Sequence, residues 1–203
     1  MSVYMNTPTL LLTLATLFSA TQHVYTSHTP QFKTAPESLT QKIERNNPEL
    51  SHAAWLSGLR AYQHARRAGN DTQQLLTIVN FNKPSTQKRL WVIDMKKGQV
   101  LYHTYVAQGE NTGHNTAKYF SNAPNSHESS IGVYRTGPTY YGHDGYSMYL
   151  YGLDPGFNNN VFKRHIVMHP ARYVSKDFAE PYSFMGHTYD FFGLNPSMFK
   201  QAI

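Results

Sequence analysis

Leu90-Trp91-Val92-Ile93-Asp94-Met95-Lys96-Lys97-Gly98-Gln99-Val100-Leu101-Tyr102-His103-Thr104-Tyr105-Val106-Ala107 reads as two extended segments closed by a tight turn. β-Branched and aromatic residues dominate Leu90 to Asp94 and Val100 to Ala107, and such side chains pack well on a half-buried pleated surface. Lys97-Gly98 supplies the turn. A connection this short joins antiparallel neighbours, because a parallel crossover needs a much longer link.

Similar segments lie on either side: Leu75 to Phe81 before the hairpin, then Ser130 to Arg135, Tyr146 to Tyr151 and His165 to Met168 after it. Turn signals at Gly137-Pro138 and Asp154-Pro155-Gly156 separate them. Fifteen Tyr and eleven Phe in 203 residues suit one sheet-rich globular domain. The expected fold is mostly β with flanking helices. One of these helices precedes the sheet: Asn47 reads as its N-cap and Pro48 as its first residue, and Leu50, Ala54, Leu59 and Tyr62 form one face. Arg66 and Arg67 fill its last turn before Gly69. A second, short amphipathic helix opens at Asn195-Pro196 and runs through Met198, Phe199 and Ala202.

The N-terminus divides into two parts. Residues 1–20 contain the apolar run from Leu10 to Ala20, which has signal-peptide length but no Lys or Arg ahead of it. A short buried helix or an uncleaved anchor are the other readings, and an uncleaved anchor would be the chain's only membrane attachment. Residues 21–46 are polar, broken by Pro30 and Pro36, and read as a linker. Residues 47–203 form the domain.

The net charge of +6 and pI near 9.4 suit an acidic partner, but Arg66-Arg67, Lys88-Arg89 and Lys96-Lys97 are scattered pairs that read as solvated faces. Nucleic acid is not an expected partner, since no basic stripe or reading module is present. The absence of cysteine excludes disulfides, thiolate metal sites and thiolate catalysis. No metal or other cofactor is expected: His165 and His169 have i, i+4 spacing, but the intervening Ile166-Val167-Met168 favours extended backbone. That would place the two rings roughly 13 Å apart. No nucleophile elbow for Ser-His-Asp chemistry occurs. Asp144, Asp154, Glu180 and Asp190 sit in turn-like segments suited to capping.

His169 ends an apolar strand, and eighteen residues separate it from Thr188-Tyr189-Asp190-Phe191. Together with Lys88 through Asp94, Tyr119-Phe120-Ser121-Asn122, Ser126 through Gly132, Thr139-Tyr140-Tyr141-Gly142, Gly145-Tyr146-Ser147, Gly156-Phe157-Asn158, Ile166 through His169 and Tyr173-Val174-Ser175, this carries a specific pattern. From about Leu50 to Ile203 the chain resembles the murein L,D-transpeptidase catalytic-domain family, in the branch with a short helical segment before the sheet. The resemblance implies an antiparallel β-sandwich or barrel, export to the periplasm or cell envelope of a bacterium, and acyl transfer between peptidoglycan stem peptides. In that chemistry a Cys thiolate attacks the peptide carbonyl and a His acts as base.

The family's His falls on His169. Its Ser/Thr-His/Trp-Gly-Cys motif reads here as Thr188-Tyr189-Asp190-Phe191, so Thr188 matches while Asp190 and Phe191 occupy the Gly and Cys positions. Pro170 replaces the usual Gly after the His, and the family's further helix and closing strand are not found before Ile203. Losing the nucleophile of such a unit costs on the order of 10⁶ in rate. Attack by water, Thr188 or Ser183 would lack an adjacent oriented base. The resemblance therefore implies a pseudoenzyme with His169 and Thr188 as vestiges of the catalytic site. Peptidoglycan would be its partner, bound by a cleft lined with His127, Tyr140 and Tyr141 that a basic charge would favour; ordinary sheet packing of those aromatics is the other reading. A non-catalytic envelope scaffold with a closed cleft is the alternative function, and a reading frame too decayed to fold well is a third.

Overall fold

The computed structural model describes residues 37–188 and 192–202. Residues 1–36 lie outside it, and with them the apolar run and most of the stretch read as a linker. The last part of that stretch is helical: α1 spans Leu39–Asn46. Ser38 accepts from the Gln41 amide while the Gln41 side chain accepts from the Ser38 amide, a reciprocal capping box that polar composition alone had concealed.

Asn47 therefore terminates α1 instead of starting the next helix. Helix α2 spans His52–Arg67 and is capped by Ser51, whose hydroxyl accepts from the Ala54 amide. Leu50 precedes α2 but is still buried, and the expected finish holds: α2 ends at Arg67, and Gly69 takes the left-handed conformation (φ 75°) that follows many helix ends.

Strands β1 (Leu75–Val79), β2 (Leu90–Asp94) and β3 (Gln99–Thr104) form an antiparallel sheet with β2 in the centre. Leu90-Trp91-Val92-Ile93 is buried throughout because both faces of β2 are covered. Leu90 and Val92 join one core with Val106, Met148, Leu150, Met168, Phe192, Leu194 and Phe199, whereas Trp91 and Ile93 join another with Ile43, Leu50, Trp55 and Ile78. Helices α1 and α2 thus cover one side of this sheet, and the second sheet covers the other.

That second sheet has the order β4 (Tyr134–Gly142), β5 (Gly145–Gly152), β6 (Val167–Pro170), β7 (Phe192–Leu194). Here the sequence reading needs correction. Gly137-Pro138 lies inside β4, not in a turn after Arg135; β4 is an edge strand whose register slips between Thr136 and Thr139, and a bulge there tolerates a residue without an amide donor. The strand placed at His165 begins instead at Val167, because His165 has φ 59° and belongs to the preceding turn. The β6–β7 pair is parallel, an exception to the antiparallel expectation, and the crossover between them contains α3 (Lys176–Tyr182). Helix α4 (Pro196–Ala202) starts where expected, with the Asn195 side chain accepting from the Ser197 amide. The two sheets meet through an antiparallel bridge between Val106 and Leu194.

Arg89 secures that junction. It is fully buried, donates to the Val106 carbonyl through Nε (3.1 Å) and Nη2 (2.9 Å) and to the Lys83 carbonyl (3.1 Å), and lies over the Phe81 ring. Burial pulls its guanidinium down to about 9, so it stays charged at neutral pH.

Candidate active site

β6 carries His169 to a position paired with Gly193 on β7. The imidazole is 3% exposed, and its Nδ1–H donates to the Pro170 carbonyl at 3.1 Å. Burial pushes its pKa below the ordinary histidine value, while the Asp144 carboxylate and the Pro170 carbonyl pull the other way. Asp144 sits in the β4–β5 turn, beside which a side chain at Gly145 would come 3.6 Å from the Pro170 ring. Burial thus favours the neutral imidazole, and with Nδ1–H on the Pro170 carbonyl its lone pair lies on Nε2, the form a general base requires.

Thr188 is buried on the other flank of β7. Its amide donates to the Gln108 carbonyl (3.2 Å), its carbonyl accepts from the Glu110 amide (2.8 Å), and it forms a parallel bridge with Gly109. Its hydroxyl points at the same Gln108 carbonyl, 3.5 Å away. Packing is tight at Gly193: a β-carbon would stand 3.0 Å from Ala171 Cβ and 3.1 Å from Thr188 Cγ2, so these neighbours would have to give by a few tenths of an ångström.

His127 reaches the same neighbourhood through its backbone. Its carbonyl accepts from the Asn111 amide (2.9 Å), and a β-carbon on Gly109 would meet that carbonyl at 2.7 Å, so the His127 loop abuts the segment that bridges Thr188. The ring, half-buried, has Nδ1 3.6 Å from Glu110 Oε2. Tyr140 and Tyr141 behave differently from each other. Tyr140 stacks on Tyr149 with centroids 4.3 Å apart, which is cross-strand sheet packing, whereas Tyr141 leans on Tyr146 and is 83% exposed. Both belong to the hairpin whose turn holds Asp144.

Tyr189, Asp190 and Phe191 lie outside the described residues. The Phe191 side chain, expected in the nucleophile position, is therefore known only as a residue type, and the chain resumes with Phe192 paired to Met168. His165 is exposed and does not accompany His169. Among the described residues no three metal-ligating side chains gather.

Two residues near the site escaped the sequence reading. Arg164, 7% exposed, donates to the Ser121 carbonyl (2.6 Å), Ser130 Oγ (2.8 Å), Ser126 Oγ (2.9 Å) and the Glu128 carbonyl (2.7 Å), and so clamps the loop that bears His127. A lone Arg in an Asn- and Phe-rich turn gave no periodic signal. Tyr173 lies against Gly186 and Gly193, and burial together with Asp144 raises its phenol pKa. It lay in the matching stretch Tyr173-Val174-Ser175, but nothing in that stretch assigned it a place.

The sequence profile of the L,D-transpeptidase catalytic domain matches residues 46–203. No curated protein and no solved structure matches the chain at a significant level.

Proposed function

The chain belongs to the L,D-transpeptidase catalytic-domain family, and on that premise we propose that it is an exported peptidoglycan-related protein that has lost acyl transfer and binds stem peptides without cross-linking them. One observation carries this reading: the family's chemistry runs through a thiolate, and none of the 203 residues is a cysteine. The partner surface on this reading includes His127 and Tyr141, with His169 retained as a neutral, buried base that has no thiol to deprotonate. Net charge does not draw the peptide to this region, because residues 105–203 hold seven Lys and Arg against seven Asp and Glu. Hydrogen bonds and aromatic contact would have to supply recognition.

The burial of His169 (3% exposed) and Thr188 (4%) favours a second reading, a non-catalytic envelope scaffold whose former cleft is filled. Binding to purified sacculi separates the two. Saturable binding that weakens several-fold in Tyr141→Ala, with the thermal unfolding midpoint unchanged, is expected for the peptide binder. Absence of saturable binding rejects that reading in favour of the scaffold.

A further inference from the structure

The positive charge of this protein is segregated. Residues 37–104, which make up α1, α2 and the first sheet, hold ten Lys and Arg against five Asp and Glu, a net charge of +5, while residues 105–203 balance to zero. Within the basic half, α2 has no acidic residue in sixteen. Its inner face carries Trp55, fully buried, and Gly58, which packs on Ile78. At 100° per residue, Arg60, His64 and Arg67 fall at i, i+4 and i+7 on the opposite face, and all three are exposed.

Helix-end electrostatics account for only part of this row. Arg66 and Arg67 lie in the last turn, where cations complement the helix dipole, and Arg66 is further engaged by Tyr62 and Asp71. Arg60 is mid-helix and gains nothing from the terminus. Neither Arg60 nor Arg67 is held by any carboxylate or other side chain among the described residues. The residues beside them on this face, Ala53 and Ser57, are small and raise no obstacle to a flat surface.

We propose that the outer face of α2 docks on an anionic phospholipid surface through Arg60 and Arg67. Seven residues of helix separate the two arginines by roughly 10 Å, too far to converge on a single phosphate and suited to a planar array of them. The face has no exposed large apolar side chain, so attachment is at headgroup level, by charge. The apolar run Leu10 to Ala20 lies 31 residues ahead of α2; kept as an uncleaved anchor, it would raise the effective concentration of this face at a bilayer.

The test measures sedimentation of the full chain with vesicles of phosphatidylcholine alone or mixed with phosphatidylglycerol. The readout is the ratio of the two affinities, in which any contribution of the apolar N-terminus cancels. Arg60→Gln/Arg67→Gln should lower that ratio roughly 30-fold, from about 1 kcal/mol per charge near the surface. Lys163→Gln/Lys176→Gln, which removes the same charge from the neutral half, should leave it within about twofold of wild type. The proposal is overturned if wild type shows no preference for anionic vesicles, if both double variants lose it equally, or if soluble polyphosphate binds while vesicles do not.

Discussion

The two sheets of this protein carry opposite burdens. The β1–β3 sheet is sealed between α1 and α2 on one side and the second sheet on the other, and its centre, Leu90 to Ile93, is wholly buried. The β4–β7 sheet buries Met148, Leu150 and Met168 on one face and leaves Tyr140, Tyr149 and Phe162 packed against one another on the other. The first sheet and its two helices hold the net positive charge and the more completely sealed strand. The second positions His169 and Thr188, with no net charge and no thiol in its half of the chain. On the proposed reading scaffold and chemistry are separable: the family's packing persists in a chain that has no thiol.

The largest effect should come from the sealed sheet. Trp91 is fully buried between Lys83 and His103, and Trp91→Ala should cost about 3–5 kcal/mol in urea unfolding. A loss under about 1 kcal/mol would mean that the first sheet is not where stability resides. In the second half the comparable anchor is polar. Arg164→Met strands four acceptors in the 121–130 loop and should cost about 2–3 kcal/mol, with hydrogen exchange accelerating first in that loop.

Each half also holds a histidine whose pKa burial depresses, half-buried His103 on β3 and fully enclosed His169 on β6. The neutral form is preferred in the fold, so unfolding takes up protons. The stability linked to each ring is complete above the unfolded value of about 6.5 and is lost as pH falls through the lower folded value. His169→Asn should therefore reduce the fall in stability between neutral and mildly acidic pH, measured by denaturant midpoints. An unchanged slope would place the acid sensitivity elsewhere.

Legibility in the sequence followed the same division. β1, β2 and the Lys97-Gly98 hairpin were readable because β-branched runs bounded by turn residues leave few alternatives. The start of α2 was misplaced at Asn47 because Asn-Pro imitates a helix start; that Asn instead closes α1 by donating its side chain to the Ile43 carbonyl. β4 was displaced because Gly-Pro signals a turn except at a bulge on an edge. β7, three residues in length, is defined by its partners and not by its own composition, and α3 was hidden by Pro181 within it. His169, Thr188 and His127 were singled out by family pattern alone, whereas Arg164 is made significant only by the loop that folds around it.

Intact mass measurement after incubation with a disaccharide tetrapeptide or a carbapenem tests the central claim most directly. The account predicts an unmodified mass for the natural chain, whether or not Asp190→Gly/Phe191→Cys restores an adduct. A covalent acyl adduct on the natural chain would contradict it.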